Sequence, residues 1–221
     1  MPKTIVAVVV LLAAQSVVVF SEESAGLRPL IETDQNLWRK GLADGTLLLD
    51  HAVAIEMFLD RVEGSPPDWP TVYGDGPGHD ERLFALNRER DGRRDQRDVP
   101  EQRLTFVWSG QLSDYDVDSG GFRVALGPTF VSTRWGVVRF KPDDLPANLI
   151  AVPSSASRES LRQRVAGGER IDIDVAMTGR LIPEESIIYD FSHDEPGRGL
   201  VMPVVRVEKI EYRLGERTLP E

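Results

Sequence analysis

The stretch SDYDVDSGGFRV, residues 113–124, sets three aspartates at alternate positions ahead of two glycines. Two chemistries fit that spacing. One is a calcium loop, in which side-chain oxygens at loop positions one, three and five converge on a hard cation. The other is a hairpin tip, where exposed aspartates open a turn and glycines supply the positive φ that closes it. Asp114, Asp116 and Asp118 satisfy the first three EF-hand positions, but Ser119 stands where that loop needs glycine and Ala125 where it needs a bidentate glutamate. The flanks alternate like strands. The hairpin is therefore the reading that the spacing supports, with the three carboxylates as candidate ligands of a divalent cation.

A second acidic stretch, residues 183–199, reads PEESIIYDFSHDEPGRG and holds Asp190, His193, Asp194 and Glu195. It is longer than a strand connection requires, and long loops are often functional. If the two loops border one face of a barrel, Asp114, Asp116 and Asp118 approach Asp190, His193, Asp194 and Glu195. Such a cluster suits a hard cation or a basic partner. Trp135, flanked by Arg134 and Gly136 in a strand read as half-exposed, is the aromatic candidate for stacking on a ligand. Trp108, Tyr115, Phe122, Phe130 and Phe140 read as core.

Other chemistries find little to work with. The chain has no cysteine, and its three histidines, His51, His79 and His193, show no zinc spacing. It contains no G-x-S-x-G elbow, no H-E-x-x-H and no phosphate-binding G-x-x-x-x-G-K. A net charge of −10 opposes a phosphate backbone, so no nucleic-acid partner is expected. Two readings remain: a non-enzymatic binding or assembly module needing no cofactor, and a carboxylate-dependent hydrolase using both acidic loops.

The elements that would position these residues follow from periodicity. Residues 1–21 run from a lysine through an uncharged apolar stretch to a polar exit, the order of a secretory signal. The apolar run is only slightly short of a membrane span, so an uncleaved anchor in the inner membrane is the rival. Either way the protein is expected outside the cytoplasm, periplasmic or extracellular, with an envelope protein as a natural partner. Residues 22–64 read as a helical extension: a short helix over 34–42, then one with Leu48, Ala52, Ile55, Leu59 and Val62 on a single face, Thr46 as its cap and Gly64 as its stop. Residues 65–102, rich in proline, glycine and charge, read as a long exposed connection.

From Arg103 the period becomes two. Strands are expected near Leu104–Trp108, Phe122–Leu126 and Thr129–Phe140, then a helix within 153–168, then strands over Ile171–Met177 and Met202–Leu214. The inward phase of the last strand slips by one residue, which predicts a bulge near Glu208 and Lys209. Three strands, a helix and two strands is the order of the OB-fold, a five-stranded Greek-key barrel with its helix between strands three and four. The expected class is mainly β (α+β), with residues 103–221 as an OB-like barrel.

Overall fold

A computed structural model describes residues 26–32, 46–94, 103–182, 185, 187–193, 195 and 197–215. The expected signal or anchor at 1–21 and the short helix over 34–42 lie outside those residues. The protein is mainly β, with a closed six-stranded barrel and few helices.

The barrel grows from the period-two segments. Strands β3 (Leu104–Asp116) and β4 (Gly121–Gly127) form a hairpin, and β9 (Ile171–Leu181) flanks β3 on its other edge, antiparallel. The register sets Phe106 opposite Met177, Trp108 opposite Val175 and Leu112 opposite Ile171, so the buried residues of neighbouring strands share one face. Burying each such side chain contributes about 1.5–3 kcal/mol. The circuit continues from β4 to β8 (Ile150–Val152), to β1 (Leu27–Ile31), to β11 (Gly199–Leu214) and back to β9. The bulge in β11 falls where its change of phase predicts, between Val207 and Lys209.

Two strand expectations are corrected. The third barrel strand is β8, whereas residues 129–140 hold the hairpin of β5 (Val131–Thr133) and β6 (Gly136–Val138), which pairs in parallel with the start of β11 outside the circuit. The barrel also has six strands rather than five, because β1 enters between β8 and β11 and pairs in parallel with both. Those two edges would otherwise present unpaired backbone groups. Nothing in the short, proline-bearing LRPLI announces that role. Helix α4 (Arg158–Ala166) joins β8 to β9, as expected, and buries Leu161.

A second sheet layer carries three helices. There β11 runs on past the barrel to pair with β10 (Ile187–Phe191) on one side and β6 on the other, while β7 (Lys141–Asp143) lies parallel to its middle. Helix α1 (Ala52–Glu63) buries Ile55, Phe58, Leu59 and Val62, and Gly64 ends it at a φ of 89°. It starts later than its periodicity suggested. Leu47–Leu49 is instead strand β2, laid parallel along the part of β3 that β4 does not reach. The supposed connection carries α2 (Trp69–Tyr73), capped by Asp68, and α3 (His79–Arg94). It is not loose: the Trp69 indole donates to Trp135 O at 2.7 Å, and its ring lies against Gly199 so closely that a Cβ there would stand 1.9 Å from it.

Candidate functional site

The SDYDVDSGG stretch is a hairpin tip. Asp116 pairs with Gly121 across a turn closed by the Gly120 N–H donating to Asp116 O at 2.9 Å, with Gly120 at a φ of 67°. Ser119 Oγ donates to Asp116 Oδ2 at 2.6 Å, and that bond holds the Asp116 carboxyl below its usual range. Asp114 and Asp118 are exposed. Among the described residues no three carboxylate or histidine side chains gather as they would around a cation, so nothing in the geometry adds to the metal-loop reading of Asp114, Asp116 and Asp118. A turn this short has no length to curl its carboxylates around an ion.

The second acidic loop lies at the opposite end of the barrel. β3 and β9 are antiparallel, so the turn that leaves β3 and the loop that leaves β9 must emerge at opposite ends. Asp190 pairs with Leu200 at the start of β11, whereas Asp116 lies beyond Leu112, which faces Ile171 near the end of β11. Roughly 45 Å of extended strand separates Leu200 from Leu214. Asp190, His193 and Glu195 therefore stay away from the hairpin aspartates; Asp194 lies outside the described residues. The loop turns to the helices and to β5. Phe191 packs on Tyr73 and His79 at 4.7 and 5.3 Å between ring centroids, Tyr73 OH donates to Arg198 O at 2.6 Å, and Glu195 accepts from Ser132 Oγ and pairs with Arg198. His193 is exposed.

Trp135 is fully buried, 0% exposed, with Nε1 donating to Asp60 at 3.1 Å. It cannot offer a face to a ligand from solvent. Its surroundings hold the most unusual cluster of the described residues, and one that the charge pattern concealed. Glu63 on α1 accepts from Arg94 Nε at 2.7 Å and Arg90 Nη1 at 3.4 Å, with all three side chains nearly excluded from water. The Arg90 guanidinium also lies 5.4 Å from the Tyr189 ring centroid and 5.9 Å from that of Trp135. Burial, and then the Glu63 charge, push the Tyr189 phenol far up, so it stays protonated. Beside the cluster, between α2 and α3, opens a cleft of about 340 Å³ with Asp68, Arg82, Glu89 and Arg90 among its lining residues. A helical reading of 82–94 puts Leu83, Leu86, Asn87, Arg90 and Arg94 on one stripe, the signal that could have exposed these arginines as inward-facing.

The outer side of the barrel is low and edged with acid. Asp172 lies beside Gln111 and Gln111 beside Ala125; in the next row Asp174, Ser109 and Gly127 follow one another. Burial raises the Asp174 carboxyl, and the Arg213 charge opposes that rise. Comparison with protein-family models, with curated proteins and with solved structures found no match.

Proposed function

We propose that this protein is an exported, non-enzymatic binding or assembly module of the cell envelope, built on an OB-like barrel, which meets a basic partner on the outer face of β9, β3 and β4. The observation that carries this reading is a barrel filled by Phe106, Trp108, Phe122, Met177 and Tyr212, beneath an outer face of Ser109, Gln111, Ala125 and Gly127. A filled barrel meets its partner outside. Short side chains let an extended chain approach, and Asp114 and Asp118, with Asp172 beside its partner Arg170 at 2.6 Å, supply the sign that a cationic partner complements, against the one exposed cation of that β4 row, Arg123. The order β3, β4, β8, α4, β9, β11 supports the OB-like reading, with β1 inserted between the third and fifth strands of that plan. OB-folds bind extended ligands on the face of their second and third strands, here β4 and β8, and on the loops joining strands one to two and four to five; β4 and the β3–β4 turn belong both to that surface and to the face proposed here. The two acidic loops that the hydrolase alternative would combine leave opposite ends of the antiparallel pair β3 and β9, which favours the binding reading.

Titration with a lysine hexapeptide, followed by backbone amide resonances, tests the face. Shifts are expected at Ser109, Gln111, Ala125 and Asp172, with affinity falling as salt rises. The combined variant Asp114→Asn, Asp118→Asn, Asp172→Asn should bind roughly tenfold more weakly, having lost three exposed charges. Shifts confined to residues 190–198, or none at all, would remove the proposal. Export is tested by N-terminal sequencing of protein from the envelope fraction. A start between Val17 and Gly26 is expected, and an intact Met1 in the cytosol contradicts it.

A further inference from the structure

We infer that Arg139, clasped between Trp108 and Phe130, is a recognition site for a carboxylate. Arg139 lies between β6 and β7, and its backbone N–H donates to Val201 O at 3.0 Å, which ties its position to β11. Its guanidinium carbon stands 5.7 Å from the Trp108 ring centroid and 5.8 Å from that of Phe130. Two aromatic faces hold the cation in place, yet they cannot satisfy the in-plane N–H donors that a guanidinium presents. Among the described residues no carboxylate or carbonyl accepts from the Arg139 side chain, and its Nε is buried with no partner. Trp108 is 6% exposed and its Nε1 is likewise buried without an acceptor.

Two unanswered donors therefore sit on neighbouring side chains, and one of them belongs to a cation. The contrast within the same molecule is direct: Arg90 and Arg94, the buried guanidiniums of α3, are both answered by Glu63. What the Arg139 site lacks is a planar acceptor with one negative charge. A carboxylate fits, because it matches the guanidinium fork in geometry and charge. A phosphate dianion would bring a second charge, unanswered, against a chain of net charge −10. Phe130, 46% exposed, offers an apolar shelf for the carbon skeleton carrying the carboxylate. The Ser109 N–H donating to Thr129 Oγ1 at 3.2 Å sets this shelf where β4 leaves β3. The carboxylate belongs either to a small free acid or to an acidic side chain of a protein, and this inference does not rest on the basic-partner face.

The test follows the four tryptophan indole N–H resonances, that of Trp108 being assigned by its loss in Trp108→Phe, during titration with acetate, a glutamate hexapeptide or inorganic phosphate. A saturable shift of the Trp108 indole with acetate or the hexapeptide is expected. Arg139→Gln should abolish it, and Arg139→Lys should weaken it roughly tenfold because lysine keeps the charge and loses the planar fork. Phe130→Ala, at an exposed position, provides a variant with little risk to folding and should weaken binding. A response to acetate at concentrations where the hexapeptide is silent assigns the site to a free acid; tighter binding of the hexapeptide assigns it to an acidic segment of a partner. Three results would overturn the inference: silence toward both carboxylates, an unchanged response in folded Arg139→Gln, or a response to phosphate alone.

Discussion

Among the described residues, Glu63 is the one on which most buried charge depends. It answers two guanidiniums, each about 5–6% exposed, and its own side chain is 2% exposed. Removing one partner of a buried ion pair leaves the other desolvated and uncompensated, at a cost of about 3–5 kcal/mol. Glu63→Gln keeps the shape and removes the charge, leaving Arg90 without its carboxylate partner while Arg94 retains the more exposed Asp91 at 2.7 Å. We predict a loss in that range from urea unfolding, seen as a lower midpoint with an unchanged slope. A loss below about 1 kcal/mol, the size typical of an exposed pair, would mean that water reaches the cluster. Arg94 also donates to Ile187 O at 2.7 Å, so the same network holds the edge of a strand as well as a charge.

At the scale of elements, α3 acts as the missing neighbour of β10. The inner edge of β10 pairs with β11, and along its outer edge the Asn87 side chain both donates to Tyr189 O at 2.9 Å and accepts from Tyr189 N at 3.0 Å, as a further strand would. The Arg94 bond to Ile187 O continues the pattern two residues away. An edge closed in this way is protected from pairing with another chain. Asn87→Ala leaves both backbone groups without their partner and should cost about 2 kcal/mol. Amide hydrogen exchange at Tyr189 should accelerate in that variant while exchange in β9 stays slow. Equal acceleration in both would show that the change acts on the whole fold and not on this edge.

For the whole molecule, closure depends on residues far from the period-two region. β1 supplies one of the six barrel strands, with Leu30 buried, and Gly26 O accepts from the buried Tyr212 hydroxyl at 2.8 Å. β2 covers the rest of the β3 edge, and Trp69 clamps the helices onto Gly199. A chain beginning at Glu22 keeps every one of these contacts, whereas one beginning at Arg103 loses them all and opens the barrel between β8 and β11. The longer chain should therefore melt in one cooperative transition, and the fragment 103–221 should show neither a sharp transition nor slow-exchanging amides. A fragment that melts as cooperatively as the longer chain would show that β1 is dispensable for closure.

Local pattern settled those parts of this protein in which neighbours in sequence dictate the answer. The alternation of Leu104 to Trp108 and of Ile171 to Met177 fixed which residues face inward, the phase slip at Glu208 marked the bulge, the aspartates and the two glycines marked the hairpin tip, and the stripe from Ile55 to Val62 marked α1. In each case a short-range preference and the tertiary environment agree. Tertiary structure alone decided the rest. LRPLI and LLL are too short to carry a period and became strands only because β8, β11 and β3 left edges unpaired. The arginines of α3 read as solvated surface until Glu63 and the rings of Trp135 and Tyr189, far away in sequence, gave them a buried counter-charge and aromatic faces. Trp135 was interior for the same reason, and the two acidic loops were held apart by strand direction, which composition does not record. Pairing across long sequence separations depends on which edges and charges remain unsatisfied once the local elements have formed, and that is a property of the assembled chain.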